Sequence, residues 1–244
     1  MNTSEPAVDA KERTIDEARI DVDPTWKGVY KVGGACALAI GLAYFIGAVL
    51  SIIIGPPPSG GELYLKSLAG HAVLSQINFG AFALADFLML PAGMALFLAL
   101  KHRAKNAMLL GAGIMVMAFV FDLAVTELNS LTLVALTQQY AAATSEVQRS
   151  AYVAAADYAL ATLPIATFCS YVVSSAGLLV ISVVMLGGVF SRPTAYLGIA
   201  AGIEGIVGGF YIFLPALAVL LVPCLITFGI WLLLTGSRLY ALGK

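Results

Sequence analysis

The stretch GIMVMAFVFDLAVTELNSL (residues 113–131) is a long apolar run that contains two carboxylates, Asp122 and Glu127. The run contains no Lys or Arg that could neutralise either acid. A bilayer core about 30 Å thick needs about 20 apolar residues per helix. This stretch therefore predicts a transmembrane helix that carries acidic side chains into the membrane.

The whole chain has the same apolar character. Its 244 residues are 60% hydrophobic and only 11% charged, whereas soluble domains are about 25% charged. The net charge is −1, so no basic surface is expected for nucleic acid. The composition predicts an integral membrane protein whose main partner is the lipid bilayer.

Long apolar runs without polar alternation favour helices over barrel strands, because backbone groups in lipid must be hydrogen-bonded internally. We predict an all-α, polytopic bundle of six transmembrane helices. The breaks between helices are marked by GPPPSGG (55–61), SRPT (191–194) and Pro215. The six predicted spans are residues 32–54, 73–100, 107–128, 167–189, 195–214 and 216–237.

Several segments are expected to lie outside the bilayer. Residues 1–28 are polar and acidic, and predict a disordered cytoplasmic tail ahead of a transmembrane domain at 29–244. The polar residues within 129–137 and 146–166 predict that two helices project beyond the membrane. Residues 62–71 are interpreted as a short amphipathic helix at the interface.

The distribution of basic residues predicts the orientation. Eleven Lys and Arg lie on the side of the two termini, against two, Lys66 and Arg149, on the other side. Short cytoplasmic loops are enriched in Lys and Arg. Both termini are therefore expected in the cytoplasm.

Three acids, Asp86, Asp122 and Glu204, fall inside the second, third and fifth spans, and Glu127 falls near the outer end of the third. An ionised acid at the centre of a helix costs on the order of 2.5 to 3.5 kcal/mol by insertion scales. Asp86 and Asp122 are expected roughly 21 to 23 Å from the cytoplasmic ends of their helices, so they can share a layer. No base is predicted at that depth.

Three states can relieve this cost: protonated acids that bond between helices, acids hydrated in a cavity open to the outside, or acids that hold a cation or cationic ligand. His71 is expected at the outer mouth of such a site. A spacing of five separates Asp122 from Glu127 by about 140° around an α-helix, so they are expected to face different neighbours. The fourth span adds polar side chains at the outer depth: Thr167, Ser170, Tyr171, Ser174 and Ser175.

Glycine spacing predicts a close helix contact. GIAAGIEGIVGG (198–209) places Gly198, Gly202, Gly205 and Gly209 where another helix can approach. This surface is interpreted as packing within the bundle, with a membrane-protein partner or a homo-oligomer as the alternative.

The cysteines and histidines predict no metal centre or cofactor. Cys36, Cys169 and Cys224 are isolated in apolar segments, and a disulfide between Cys169 and Cys224 is the alternative to free thiols. Two histidines, His71 and His102, cannot form a multi-His zinc site or a bis-His haem, because they lie at opposite ends of one predicted helix.

Four segments resemble a known family: YKVGGACALAIGLAYFIG (30–47), LTLVALTQQY (131–140), SRPTAYLGIAAGIEGIVGG (191–209) and LPALAVLLVPCLITFGIWLLLTGSRLY (214–240). They are similar to the prokaryotic membrane-protein family DUF4386, domain of unknown function 4386, over about residues 26–242. The resemblance implies a multi-helix protein of a prokaryotic cytoplasmic membrane. It supplies no catalytic residue, cofactor or substrate.

The acids lead to a functional hypothesis. We expect a non-enzymatic protein that binds or moves a small ligand, a cation or a proton through Asp86, Asp122, Glu127 and Glu204. One alternative is a structural subunit that packs against a partner through the glycine surface. The other is an enzyme acting on lipid, although no nucleophile–base pair or metal set is evident.

Overall fold

The computed structural model describes residues 23–55 and 58–244, and this part of the chain is helical, with no β-strand. Most of the predicted polar tail lies outside the described residues. Its last residues form a 3₁₀ turn, Pro24–Trp26, which Asp23 caps by accepting a hydrogen bond from the Thr25 N–H. The first long helix begins directly after this turn, at Lys27.

The helices follow one another with short connections. In chain order they are α1 (Lys27–Ile54), α2 (Gly61–Gly70), α3 (Ala72–Asp122), a π-helical turn (Leu123–Glu127), α4 (Leu128–Ala142), α5 (Glu146–Met185), α6 (Arg192–Gly209) and α7 (Leu221–Leu242). Two 3₁₀ segments, Phe210–Ile212 and Pro215–Leu220, join α6 to α7. Pro215 begins the second of these segments, which agrees with its prediction as a break between spans.

Five helical segments within the described ranges are long and apolar enough to cross a membrane, rather than the predicted six. They are Pro24–Ile54, Ala72–Ala142, Glu146–Met185, Arg192–Ile212 and Pro215–Leu242. The count differs because the second and third predicted spans belong to one helical segment of 71 residues. The expected loop between them, KHRAKN (101–106), contains no Gly or Pro and several strong helix formers. Two helices therefore meet there directly, at a kink confined to Ala104.

This 71-residue segment is bent into a hairpin at one residue. Ala104 has non-helical backbone angles, φ −154° and ψ 73°. The residues on either side fold back on each other: a methyl group added at Gly93 would lie 2.7 Å from Cγ2 of Val116. We call residues 72–103 the first arm of the hairpin and residues 105–142 the second arm.

Large apolar side chains cover the outside of the bundle. Between 62% and 68% of the surface of each of four of them is exposed: Ile52, Val73, Leu109 and Met117. A water-soluble protein seldom exposes so many large apolar side chains in contiguous patches. This exterior suits contact with the lipid bilayer.

Most basic residues of the described chain lie at one end of the bundle, and Lys66 and Arg149 are the exceptions among the described residues. Lys101, beside the bend of the hairpin, lies 5.6 Å from the centre of the Trp26 ring. Lys31 lies 5.8 Å from the centre of the Tyr240 ring. The Arg238 Nε–H donates to a carbonyl oxygen in the connection between α5 and α6 at 2.9 Å. The start of α1, the bend and the end of α7 therefore share one end.

A second, smaller core lies at the opposite end. It is formed by α2, α4 and the N-terminal part of α5, which we call the cap. Its buried apolar residues are Tyr64, Leu65, Leu68, Leu133, Val134, Ala156 and Ala159. The helices predicted at 62–71, 129–137 and 146–166 are confirmed as helices, and here they pack on one another.

Polar contacts fix α2 within the cap. The Gly61 N–H, at the first turn of α2, donates to the Asp157 carboxylate at 2.6 Å. Glu62 accepts a hydrogen bond from Lys66 at 2.7 Å and another from the Tyr140 hydroxyl at 3.1 Å. The Lys66 hydrogen bond, followed by the Tyr140 bond, holds the pKa of Glu62 below its ordinary value.

Candidate functional site

Three carboxylates meet inside the hairpin. Asp86 lies on the first arm, Asp122 is the last residue of α3, and Glu127 ends the π-helical turn. One oxygen from each carboxylate lies within 4.8 Å of the other two. We refer to these residues as the three-carboxylate group.

The position of the bend explains why Asp86 and Asp122 meet. Each lies eighteen residues from Ala104, one before it and one after it. Two antiparallel helices with the same rise per residue return to the same level after equal numbers of residues. The prediction that Asp86 and Asp122 share a layer is confirmed.

The prediction that Asp122 and Glu127 face different neighbours is wrong. The backbone between them is π-helical, and the Leu128 N–H donates to the carbonyl oxygen of Leu123, five residues earlier. In a π-helix a step of five residues closes a turn that takes four residues in an α-helix. The wider turn therefore brings Asp122 and Glu127 to one face.

Two of the three carboxylates are buried, and none of the three has a basic partner among the described residues. Asp86 is 4% exposed and Glu127 is 7% exposed, whereas Asp122 is partly exposed. In the described ranges the ion pairs are Lys66 with Glu62 and Arg149 with Glu146, and each lies between neighbouring turns of one cap helix. Asp86 Oδ2 and Glu127 Oε2 are also without a hydrogen-bond partner. The expectation that no base compensates the buried acids holds for this part of the chain.

Two hydroxyl groups adjoin the carboxylates. Those of Thr126 and Ser170 lie beside the Asp122 carboxyl group, but neither makes a well-aligned hydrogen bond. Ser170, on α5, is 4% exposed. Its position confirms that the fourth span adds polar groups at the level of the acids. Thr126 was not predicted, because its orientation depends on the π-helical turn.

Aromatic rings form a wall beside the group. Tyr44, near the middle of α1, is buried close to Asp86. Its ring packs edge to face against Phe82 at 5.4 Å and against Phe228 at 5.2 Å, between ring centres. Sequence reasoning missed Tyr44; the signal was a lone tyrosine near the centre of an apolar helix.

The structure places two other predicted site residues elsewhere. Glu204 lies on α6 and does not belong to the three-carboxylate group, although its Oε2 is also buried without a hydrogen-bond partner. His71 is exposed between α2 and α3, where Nδ1 lies 3.4 Å from the carbonyl oxygen of Ser67. A single site containing all five predicted residues is therefore not formed.

The predicted glycine surface packs within the chain. A methyl group at Gly202 would lie 2.6 Å from Cγ of Leu179, on α5. The same α6 surface faces α5 or α7 at Gly198, Gly205 and Gly209. The interpretation as packing within the bundle is confirmed, and the surface is not free to hold a partner protein.

The three cysteines are free thiols. The alternative disulfide between Cys169 and Cys224 is not formed. Cys224 is buried between helices, where its thiol donates to the carbonyl oxygen of Ala201 at 3.6 Å. Its role is packing at the contact between α6 and α7.

The arrangement favours bound positive charge. Three ionised carboxylates this close repel one another, and a proton or a cation relieves the repulsion.

Comparison with protein-family models, curated proteins and solved structures gives no match to this chain. The resemblance to domain of unknown function 4386 therefore stays a prediction.

Proposed function

We propose that this protein binds a small cation or a proton at the three-carboxylate group inside a membrane-embedded helical bundle. One observation carries the proposal: oxygens of Asp86, Asp122 and Glu127 lie within 4.8 Å of one another with no basic partner among the described residues. The proposed role is non-enzymatic. Ion-flux measurements in liposomes would test whether the protein also moves the bound cation or proton across the membrane.

The energy of the group supports bound positive charge. Two unit charges 4.8 Å apart repel by about 3.5 kcal/mol at an effective dielectric constant of about 20. Each ionised acid also costs roughly 2.5 to 3.5 kcal/mol to place at a helix centre. Protein stabilities are only about 5 to 15 kcal/mol. A bare trianion would therefore consume much of the stability of the fold, and a proton or cation at the group avoids this cost.

The proposed setting is a prokaryotic cytoplasmic membrane with both termini in the cytoplasm. In this arrangement each arm of the hairpin crosses the bilayer separately, which gives six crossings in total. The first arm, residues 72–103, is longer than the roughly 20 residues that a crossing needs. The basic end of the bundle then faces the cytoplasm, and the cap and the three-carboxylate group lie toward the outside.

The test uses full-length protein purified in detergent and reconstituted in liposomes. Its melting temperature would be measured across pH and in Na⁺, K⁺, Ca²⁺ and Mn²⁺. Parallel samples would be labelled with a hydrophobic carbodiimide and mapped by mass spectrometry. The variants are Asp86→Asn, Asp122→Asn and Glu127→Gln, with Glu204→Gln as the matched control. Glu204 is a span acid with an unpartnered buried oxygen that lies outside the group.

We expect the parent and Glu204→Gln to melt at temperatures that depend on pH or on a cation, and each variant of the group to reduce that dependence. Carbodiimide labelling of the group should fall when the stabilising cation is present. The proposal fails if a protein that carries Asp86→Asn, Asp122→Asn and Glu127→Gln together melts with the same dependence on pH and cations as the parent. It also fails if the melting temperature of the parent depends neither on pH nor on any cation tested.

A further inference from the structure

We infer that the three-carboxylate group, together with the Ser170 hydroxyl, is a binding site for a hard divalent metal cation of the Ca²⁺ or Mn²⁺ type. This inference rests on the proposed function and names its ligand. It assigns Asp86, Asp122 and Glu127 as anionic ligands, with Ser170 and Thr126 as neutral ones.

The distances fit a single ion. The carboxylate oxygens lie within 4.8 Å of one another, so an ion at their centre would be at most about 2.8 Å from each of them. This limit is close to the 2.3 to 2.6 Å between Ca²⁺ and an oxygen ligand, and small side-chain rotations would bring all three oxygens into contact with one ion. Oxygens this close leave room at their centre for one atom, and not for the body of an organic ligand.

The donor atoms select the class of metal. The group offers carboxylate and hydroxyl oxygens and contains no thiolate or imidazole. Oxygen ligands suit Ca²⁺, Mn²⁺ and Mg²⁺, whereas thiolate and imidazole suit Zn²⁺ and Cu⁺. Mg²⁺ usually keeps several waters, which a buried group of this size does not favour.

The charges favour a divalent ion over a monovalent one. Three ionised carboxylates carry three negative charges. A divalent ion leaves one of them in surroundings of low dielectric, and Na⁺ or an ammonium group leaves two. Because a buried net charge is costly, the divalent ion compensates the group better.

Buried polar atoms without a partner point to a ligand at the group. Asp86 and Glu127 are 4% and 7% exposed, and Asp86 Oδ2 and Glu127 Oε2 have no hydrogen-bond partner. The Ser170 hydroxyl adjoins them. Ser170 is 96% buried, since 4% of its surface is exposed. Its oxygen lies beside the Asp122 carboxyl group but makes no well-aligned hydrogen bond. Buried hydroxyls almost always have a partner. Thr126 is partly exposed, but its hydroxyl oxygen is buried and also lies beside Asp122 without a well-aligned hydrogen bond. The two hydroxyls raise the number of available side chains to five. Ca²⁺ takes six to eight oxygen ligands, and carboxylates can supply two oxygens each.

The experiment is a titration of full-length, detergent-solubilised protein with Mn²⁺ after treatment with a chelator. The electron paramagnetic resonance signal of free Mn²⁺ reports the bound fraction, and Ca²⁺ is then added as competitor. The acid variants are Asp122→Asn and Glu127→Gln, with Glu204→Gln as control. The hydroxyl variant is Ser170→Ala, with Ser182→Ala as control. Ser182 is another buried, unpartnered hydroxyl on α5, about 18 Å further along the helix.

We expect one Mn²⁺ per chain, displaced by Ca²⁺, in the parent and in both controls. Asp122→Asn and Glu127→Gln should weaken Mn²⁺ binding by about tenfold or more, because outer-shell partners alone change metal affinity by about 10- to 100-fold. Ser170→Ala should weaken it by about three- to tenfold, the range of one lost polar contact. Circular dichroism spectra and melting curves would show that each variant is folded.

The inference is overturned if the folded parent binds no Mn²⁺, or if Asp122→Asn and Glu127→Gln bind it as tightly as Glu204→Gln. It is also overturned if tetramethylammonium, but not Ca²⁺, displaces the bound ion. If Mn²⁺ fails to bind while the melting temperature still depends on Na⁺ or pH through the group, the divalent inference falls and the proposed function stands. If no cation and no pH change has an effect, both fall.

Discussion

Deletion of Ala124 tests the π-helical turn. Ala124 is an exposed residue in the middle of the turn. The π-helical turn has five residues, and deletion of Ala124 leaves four. An α-helical turn, which needs about four residues, can then replace the wider π-helical turn. Asp122 and Glu127 are then four apart in the chain and still share a face of the helix. The register of α4 on the cap should be nearly unchanged.

The matched control inserts one alanine after Ala124. An added helical residue rotates α4 by about 100° relative to the cap. Leu133 and Val134, which are 0% and 3% exposed, would leave the core of the cap. Exposing a side chain of this size costs about 1.5 to 3 kcal/mol. The insertion should therefore cost roughly 3 to 6 kcal/mol, and the deletion about 1 kcal/mol, which is an ordinary mutational effect.

The assay is reversible unfolding in mixed micelles, with sodium dodecyl sulfate as denaturant and circular dichroism as the signal. Carbodiimide labelling of Asp122 and Glu127 in the deletion variant would show whether the acids remain together. If the deletion destabilises the protein as much as the insertion does, the wide turn is not an extra residue accommodated in an α-helix. The explanation given for the meeting of Asp122 and Glu127 would then be refuted.

Three further predictions concern packing and the cap. Gly202→Leu should lower stability by about 1 to 3 kcal/mol through overpacking, whereas Gly113→Leu should have little effect, because nothing lies within 4 Å of a methyl group at Gly113. Thermal melting would compare the two variants. Equal losses of stability would contradict the close contact between α6 and α5. Asp157→Ala removes the carboxylate that accepts a hydrogen bond from the Gly61 N–H at the start of α2, and should destabilise the cap by about 0.5 to 2 kcal/mol. Hydrogen exchange of the α2 amides would measure this loss. Unchanged protection of these amides would show that the contact contributes nothing. The pKa of Glu62 is lowered in the folded protein, so its contribution to stability is present above its ordinary pKa and is lost as the pH falls through the lowered value. Limited proteolysis between pH 7 and pH 3 should therefore cleave the cap faster at the lower pH. Glu62→Gln should remove this part of the pH dependence.

The sequence predicted that Asp86 and Asp122 share a layer, because the depth of each residue follows from counting residues along its antiparallel helix. It could not predict that Glu127 joins them, since the spacing of five was interpreted with α-helical geometry and no Gly or Pro marks the turn. The sequence also predicted six separate spans, whereas the described residues form five long apolar helical segments. The segment 101–106 has the charge of a loop but the helix propensity of its neighbours, and the bend is confined to Ala104.

The glycine surface illustrates how sequence patterns depend on the fold. Small residues in the pattern at 198–209 predicted a close approach, and the structure contains it. The pattern alone did not say whether the approaching helix belongs to the same chain. Tyr44 and Thr126 were missed for a related reason, because their importance depends on which elements surround them and not on their own spacing.

All three carboxylates come from a single hairpin, within residues 86–127. Their meeting therefore depends on the fold of that hairpin alone and on no residue of α5 to α7. If the hairpin folds in the membrane before α5 is inserted, the electrostatic conflict exists before Ser170 is in place. An ion or a proton that resolves it at that stage would help the nascent chain to integrate.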